Sequence, residues 1–142
     1  MARIDRARLE AADFPFVTEI QTRYADLDPN GHVNNAAAAV ILQEARGRFQ
    51  HATGVKELMN RYRYIVAGLA IEFAAEMFFP EPVEVRTGVL HIGRTSFTVG
   101  QIAHQRGRTT LYAETTAVLA DENGPTPMSD AVRAAYGRFL LS

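Results

Sequence analysis

The feature that most constrains the fold of this 142-residue chain is one long helical pattern followed by four strand patterns in a row. Residues 35–53 carry apolar side chains at the three- and four-residue spacing of a helix with one buried face. Strand-like segments then follow at residues 64–79, 83–91, 97–104 and 109–120. Consecutive hairpins form an antiparallel sheet, and a long helix needs a cover for its apolar face. The order therefore predicts a curved antiparallel sheet wrapped around the helix.

Two of the strand patterns are less regular than the others. Residues 14–25 alternate in polarity like a first strand, and "DPNG" ends it because proline restricts φ and Asn-Gly tolerates positive φ. Residues 64–79 are apolar at almost every position. This composition favours a long strand buried on both faces, although the pattern alone is also compatible with a buried helix.

The predicted helices have recognisable ends. Asn34 or Asn35 can cap the start of the long helix, and Gly54 can end it. Ser129 can cap a last, shorter helix. The chain is thus predicted to adopt an α+β fold, with one long and one short C-terminal helix.

Composition and charge exclude several functional classes. The absence of cysteine excludes disulfides, thiolate metal sites and a cysteine nucleophile. The net charge of −1 does not indicate a nucleic-acid or membrane partner. The charged N-terminus does not match a secretory signal, and the longest apolar stretch is shorter than the ~20 residues of a membrane helix. We therefore expect one cytoplasmic domain over residues 1–142, with no metal or cofactor.

A polar loop, "DLDPNGHVNN" at residues 26–35, precedes the long helix. None of the three serines lies in a G-x-S-x-G elbow, so a serine-triad hydrolase is not expected. A carboxylate can instead act as nucleophile or general base, and N–H groups at a helix start can stabilise an oxyanion. Asp-Pro-Asn-Gly by itself is typical of an ordinary turn. Its position directly before a helix makes a catalytic role the alternative to an ordinary turn.

The block "RYADLDPNGHVNNAAAAVILQEAR" resembles the hotdog-fold thioesterases of the 4-hydroxybenzoyl-CoA thioesterase type. Their signature is similar to D-x-D-x-x-G-H-V-N-N followed by a helix ending near E-x-A-R. The matching positions are Asp26, Asp28, Gly31, His32, Val33, Asn34, Asn35, Glu44, Ala45 and Arg46. The likeness extends over nearly the whole chain, although only this block is specific, and "AAAAVI" stands where the family often has aromatic residues. The resemblance implies a hotdog fold of about five strands and an acyl-CoA thioesterase that acts on a fatty or aromatic acyl group.

The resemblance also implies roles for individual residues. Asp28 would be the catalytic carboxylate, and the backbone N–H of Asn35 would polarise the thioester carbonyl. His32 would shape the loop or contact the substrate. Glu44 is the reserve carboxylate, because related hotdog enzymes use a helix glutamate, and the alternative for it is a salt bridge on the helix face.

Further residues are expected near the substrate. Tyr24 and Asn34 flank the loop, and Asn34 can serve as a helix cap as well. Arg94, Thr95 and Ser96 occupy a tight turn, and hotdog enzymes bind the CoA nucleotide near such turns. An arginine there could contact a phosphate.

Two other carboxylates are interpreted structurally. Asp26 is expected to cap the end of the first strand. Glu72 interrupts an apolar segment, and we expect it to pair with an arginine because a buried carboxylate needs a partner.

Other functions remain open at this level. A hotdog hydratase or dehydratase would keep the fold and change the reaction, and a non-catalytic binder of acyl-CoA or acyl-carrier protein would keep only the pocket. The open edge of a single curved sheet predicts a homo-oligomer. The resemblance adds that hotdog subunits pair sheet to sheet with the active site at their boundary, as a dimer or a tetramer.

Overall fold

The computed structural model of the protein describes residues 3–59 and 62–142, and in this part of the chain one antiparallel sheet surrounds a long helix. The helices are α1 (Arg6–Ala11), α2 (Asn35–Thr53), α3 (Lys56–Met59) and α4 (Asp130–Gly137). The strands are β1 (Phe16–Ile20), β2 (Arg63–Phe73), β3 (Val83–Ile92), β4 (Ser96–Gln105), β5 (Arg108–Asp121) and β6 (Gly124–Pro125). The strand order is β1-β3-β4-β5-β2, and β6 pairs with β5.

The long helix α2 begins and ends where the sequence predicts. The Asn34 side chain accepts a hydrogen bond from the Ala37 N–H, which is the N-cap arrangement. Gly54 ends the helix in the left-handed conformation, with φ of 72°. The predicted caps of α2 are therefore confirmed. Ser129 likewise caps α4 by accepting from the Val132 N–H at 3.2 Å.

The core lies between α2 and the concave face of the sheet. One face of α2 is buried, and it comprises Ala37, Ala38, Ile41, Leu42, Ala45 and Phe49. The first part of this face packs against small and branched residues of β3, β4 and β5, among them Val85, Ala103 and Leu111. Alanines on both sides allow the helix backbone to approach the sheet closely. The predicted hotdog arrangement, a curved antiparallel sheet around one long helix, is confirmed.

The expectation for residues 64–79 is wrong in two respects. The strand β2 ends at Phe73, and the residues after it form an irregular connection to β3. It also lies at the edge of the sheet, paired only with β5. Its large side chains are exposed instead of buried, as with Val66 at 46% and Leu69 at 42%. A run of apolar residues therefore marks a surface that this chain by itself leaves uncovered.

The first strand is shorter than predicted. Residues 14–25 divide into β1 and a 3-10 turn at Tyr24–Asp26. Asp26 is buried, and its carboxylate accepts hydrogen bonds from the Arg23 backbone N–H at 2.9 Å and from the Arg23 guanidinium at 2.7 Å. Burial alone raises the pKa of Asp26, but the hydrogen bonds and charge of Arg23 outweigh it and lower that pKa. The predicted capping role of Asp26 is confirmed.

The short helix α1 was not predicted from the sequence. It covers the convex face of the sheet, where Leu9 packs against Leu90 and Ile102. Arg6 of α1 pairs with Glu72 at 2.6 Å, so the predicted arginine partner of Glu72 is confirmed. No helix in the described residues is both long and apolar enough to span a bilayer.

The docking of α1 on the convex face depends on Gly100 in β4. A Cβ added at Gly100 would lie 2.9 Å from Leu9 Cδ2 and 2.9 Å from Leu90 Cδ1. We expect Gly100→Ala to lower the free energy of unfolding by ~1–3 kcal/mol because the convex face becomes overpacked. Urea denaturation measures this change. Gly137→Ala is the control, since nothing lies within 4 Å of its added Cβ, and an equal loss in both variants would contradict the prediction.

The pairing of Asp26 predicts a pH-dependent stability. Because its pKa is lowered in the folded state, its contribution is present above the unfolded pKa of about 3.9 and is lost as pH falls through the lower folded pKa. We expect Asp26→Asn to cost ~1–3 kcal/mol at pH 7, and the difference from the parent protein to shrink below about pH 4. Denaturation over a pH series checks this, with the exposed Asp13→Asn as control. A difference that does not change with pH would refute the charge-based explanation.

Candidate active site

The loop before α2 folds around the carboxylate of Asp28. Asp28 Oδ1 accepts hydrogen bonds from the N–H groups of Asn30 at 2.9 Å and His32 at 3.2 Å. The Asp28 N–H donates to the His32 carbonyl at 2.8 Å and closes the turn. Gly31 adopts a φ of 81°, which a glycine accepts without strain. One carboxylate oxygen is thus anchored, and within the described residues Oδ2 has no hydrogen-bond partner.

Backbone pairing places this loop against the start of α2. Leu27 and Val33 form an isolated antiparallel bridge. The Asn34 N–H donates to the Asp26 carbonyl at 2.9 Å. These two contacts return the chain to the end of the 3-10 turn just before the helix begins. They hold the Asp28 carboxylate beside the N-terminus of α2.

The first turn of α2 presents N–H groups that the helix itself does not use. Asn34 satisfies two donors, since its side chain accepts from Ala37 N–H at 2.7 Å and its carbonyl accepts from Ala38 N–H at 3.0 Å. In the part of the chain that the structure describes, the N–H groups of Asn35 and Ala36 have no acceptor. Free N–H groups at a helix start attract negative charge. They are suited to stabilise an oxyanion.

Asp28 and Asn35, the first residue of α2, both line one cavity of about 400 Å³. One wall contains Asp28, His32, Asn35 and Ala38. The opposite wall is formed by residues 73–77, at the end of β2 and in the connection after it. A carboxylate and an oxyanion site that line one cavity are the two elements that acyl transfer to water requires.

The opposite wall is held by polar contacts that sequence analysis did not identify. The buried Gln105 side chain accepts from the Phe78 N–H and donates to the Phe78 carbonyl, each at 2.8 Å. His32 Nε2 lies 3.1 Å from Glu76 Oε2, and its ring makes an edge contact with Phe78. Glu76 was visible in the sequence as an interruption of the apolar run. Nothing in the sequence indicated that it faces His32.

The structure brings only some of the predicted site residues together. Asp28, His32 and Asn35 line the same cavity, and Asn34 caps the helix beside them. Tyr24 is 78% exposed and lies outside this cavity, with its ring edge against Phe79.

The turn of Arg94, Thr95 and Ser96 lies at the other end of the sheet. The turn leads into β4, which begins at Ser96, and the opposite end of β4 at Gln105 holds the wall beside His32. The ten residues of β4 span roughly 30 Å. A contact between this turn and the cavity of Asp28 therefore does not occur within one chain.

The reserve carboxylate Glu44 does not line the cavity of Asp28. It forms an ion pair with Arg48 on the exposed side of α2. It lines a small cavity together with Arg23 and Asp26, separate from that of Asp28. Among the described residues, no group of three or more histidines and carboxylates is placed to bind a metal ion.

Comparison with known structures shows the same fold in several proteins. A predicted thioesterase from Bacillus stearothermophilus superposes with a TM-score of 0.80 at 24% identity, covering 88% of this chain and 96% of that one. A thioesterase from Thermus thermophilus in complex with coenzyme A and zinc gives a TM-score of 0.78 at 23% identity, covering 89% and 94%. A gentisyl-coenzyme A thioesterase gives 0.76 at 22% identity, covering 85% and 99%. At these identities the likeness establishes the fold alone.

The family was established by a comparison of the sequence with family models. No curated protein sequence matched this chain. The model of the thioesterase-like superfamily matches residues 22–136, which include the Asp28 loop, all of α2 and the four long strands. The chain therefore belongs to the thioesterase-like superfamily, and it is a thioester hydrolase.

Proposed function

We propose that this protein is an acyl-CoA thioesterase in which Asp28 supplies the catalytic carboxylate. The observation that carries the proposal is that Asp28 and Asn35, the first residue of α2, line the same cavity. The anchored Oδ1 fixes the orientation of the carboxylate, and Oδ2 is left to act. The N–H groups of Asn35 and Ala36 would receive the thioester carbonyl oxygen.

The chemistry follows one of two routes with the same products. As a general base, Asp28 takes a proton from water, and the water oxygen attacks the thioester carbon. The negative charge that develops on the carbonyl oxygen is stabilised by the helix N–H groups. The C–S bond then breaks, and the thiolate leaves and takes up a proton. As a nucleophile, Asp28 would attack the thioester carbon and expel the thiolate, and water would hydrolyse the resulting mixed anhydride in a second step and restore the carboxylate.

The substrate class is inferred from the family and from the bound ligand of one relative. A Thermus thermophilus relative was solved with coenzyme A, and another relative is described as acting on gentisyl-coenzyme A. These relatives support an acyl-CoA substrate, and the second supports an aromatic acyl group. A fatty acyl group and the 4-hydroxybenzoyl-CoA thioesterase type stay predictions. We propose no cofactor for the reaction.

Neighbouring residues have supporting roles in this proposal. His32 holds the opposite wall through Glu76, so we assign it to positioning the cavity. Asn34 orients the helix start that presents the N–H groups. Contacts of Tyr24 and of the Arg94 turn with the substrate stay predictions.

We further propose that the protein is a homo-oligomer assembled through the edge strand β2. One side of β2 pairs with β5, and the other side presents unpaired backbone groups. Exposed apolar side chains follow the same edge, with Tyr64, Ile65, Val66, Leu69 and Phe73 between 36% and 48% exposed. A second copy paired along this edge would cover them, and a tetramer would require a further contact between two such dimers.

Replacing Asp28 tests the catalytic role directly. Asp28→Asn removes the charge, and the amide oxygen can still accept the two turn hydrogen bonds, so we expect a folded protein. We expect thiol release from acyl-CoA esters, followed with a thiol-reactive dye, to fall by ~10²-fold or more. Asp121→Asn is the matched control, because Asp121 Oδ1 also accepts from the N–H two residues later, in a turn far from the cavity.

Two results would overturn this assignment. Near-full turnover in folded Asp28→Asn would remove the carboxylate from the mechanism. Loss of turnover in Glu44→Gln with retention in Asp28→Asn would move the catalytic carboxylate to α2. Hydration of an enoyl-CoA with the thioester intact would favour a hydratase, and tight binding without thiol release would favour a binding protein.

Charge placed on the β2 edge tests the assembly. We expect Val66→Glu to dissociate the oligomer, because a carboxylate would be buried without a partner in the contact. Val17→Glu is the matched control, since Val17 is a similarly exposed valine on β1 at the opposite edge of the sheet. Light scattering at micromolar concentration measures the mass. A monomeric parent protein, or equal dissociation by both variants, would refute the proposed contact.

A further inference from the structure

A second cavity lies next to the candidate active site along α2. The strand β2 runs in the opposite direction to α2, so Phe73 lines the cavity of Asp28 and Tyr64 lies beside Gly47. Tyr64 and Val66 form one side of a cavity of about 580 Å³, and Val40, Gln43, Glu44, Arg46 and Gly47 of α2 form the other. We call it the distal cavity. From Asn35 to Arg46 the helix advances three turns, roughly 16 Å.

Arg46 is the unusual residue of the distal cavity. Among the described residues, five arginines, Arg6, Arg23, Arg48, Arg86 and Arg106, form an ion pair with a carboxylate, and most of the arginines without one are exposed. Among the residues that the structure describes, Arg46 has no carboxylate within ion-pair distance, although it is half-buried. Burial lowers the pKa of its guanidinium, with a smaller opposite effect from Tyr64. Arginine stays charged in such surroundings, so the cavity contains a cation without a counter-ion.

The guanidinium of Arg46 is held by a side chain with a fixed orientation. Gln101 is fully buried, and its amide N–H groups donate to the Leu42 carbonyl at 3.1 Å and to Thr87 Oγ1 at 3.2 Å. These contacts turn Gln101 Oε1 towards Arg46 Nη1, at 3.4 Å. Arg46 is therefore oriented by the core, and its remaining donors are left for another acceptor.

The charge of the distal cavity favours a carboxylate as that acceptor. A partly desolvated cation without a partner is unfavourable, and a carboxylate can bind a guanidinium through two parallel hydrogen bonds. The acid in the same cavity, Glu44, is already paired with Arg48. Val40 and Val66 contribute apolar surface to the cavity, and Gln43 and Tyr64 contribute polar groups.

We propose that the distal cavity binds the far end of the acyl group and that Arg46 selects acyl groups ending in a carboxylate. The substrate class is the monothioester of a dicarboxylic acid. This inference rests on the proposed function, because the thioester end is placed at Asp28 and Asn35 and the acyl chain then follows α2 to Arg46. Gln101 acts as a positioning residue, since it contacts only the guanidinium.

The test compares two CoA thioesters of equal length, dodecanedioyl-CoA and dodecanoyl-CoA, because an extended twelve-carbon chain is long enough for the distance between Asn35 and Arg46. We expect the parent protein to have a higher kcat/KM for dodecanedioyl-CoA. Arg46→Met keeps an apolar stem and removes the charge. It should lower kcat/KM for dodecanedioyl-CoA by roughly 10- to 100-fold, mainly through KM, and leave that for dodecanoyl-CoA unchanged. Arg86→Met, which removes an exposed arginine paired with Glu84, is the control.

A binding measurement separates this inference from the proposed function. Both thioesters are titrated calorimetrically into Asp28→Asn and into Asp28→Asn/Arg46→Met. Tighter binding of dodecanedioyl-CoA that depends on Arg46 supports the inference even if the parent protein hydrolyses neither thioester, a result that would refute only the proposed function. Equal binding of the two thioesters overturns it. Equal losses on both substrates with dissociation of the oligomer also overturn it, and would assign Arg46 to a carboxylate of a second copy.

Discussion

Burial of one face of α2 against the concave sheet is the interaction on which the rest of the structure depends. The helix places Ala38, Leu42 and Ala45 in full contact with the sheet, and a larger side chain at the alanine positions would push the two apart. Because the helix axis is held in this way, the position of its N-terminus is also set. Asn35 at that N-terminus lines the cavity of Asp28, so the geometry of the proposed active site is a consequence of core packing.

Hydrogen bonds then fix the orientation of the loop and side chains that core packing has positioned. The Asp28 loop is shaped by its own turn hydrogen bonds, and Asn34 joins it to the helix. The opposite wall depends on Gln105, a buried side chain from the end of β4 that satisfies both backbone groups of Phe78. Gln101, from the same strand, orients Arg46 in the distal cavity. Buried glutamines of β4 thus hold groups on both sides of the proposed acyl path.

Sequence reasoning succeeded where the determinants are local in the chain. The period of apolar residues, the Asn34 cap and Gly54 defined α2 at both ends. The Asp28 turn was recognised because its residues are neighbours in sequence. The cavity wall at residues 73–77 and the role of Gln105 were missed, since they depend on segments that meet only after the sheet has formed. The short helix α1 was missed because its six residues are too few for a clear period.

The strand β2 shows what the sequence and the tertiary structure each determine. By itself, the sequence determined the helix, the order of the strands and the loop with its carboxylate, because caps, turns and periodicity act over a few residues. It also identified residues 64–79 as apolar, but an apolar segment has the same composition whether its own chain or a second chain covers it. Only the tertiary structure decided that β2 lies at the edge of the sheet with its side chains exposed. It alone decided that residues 73–77 form one wall of the Asp28 cavity and that Arg46 lines a cavity together with Tyr64 and Val66, because these arrangements depend on contacts between distant parts of the chain.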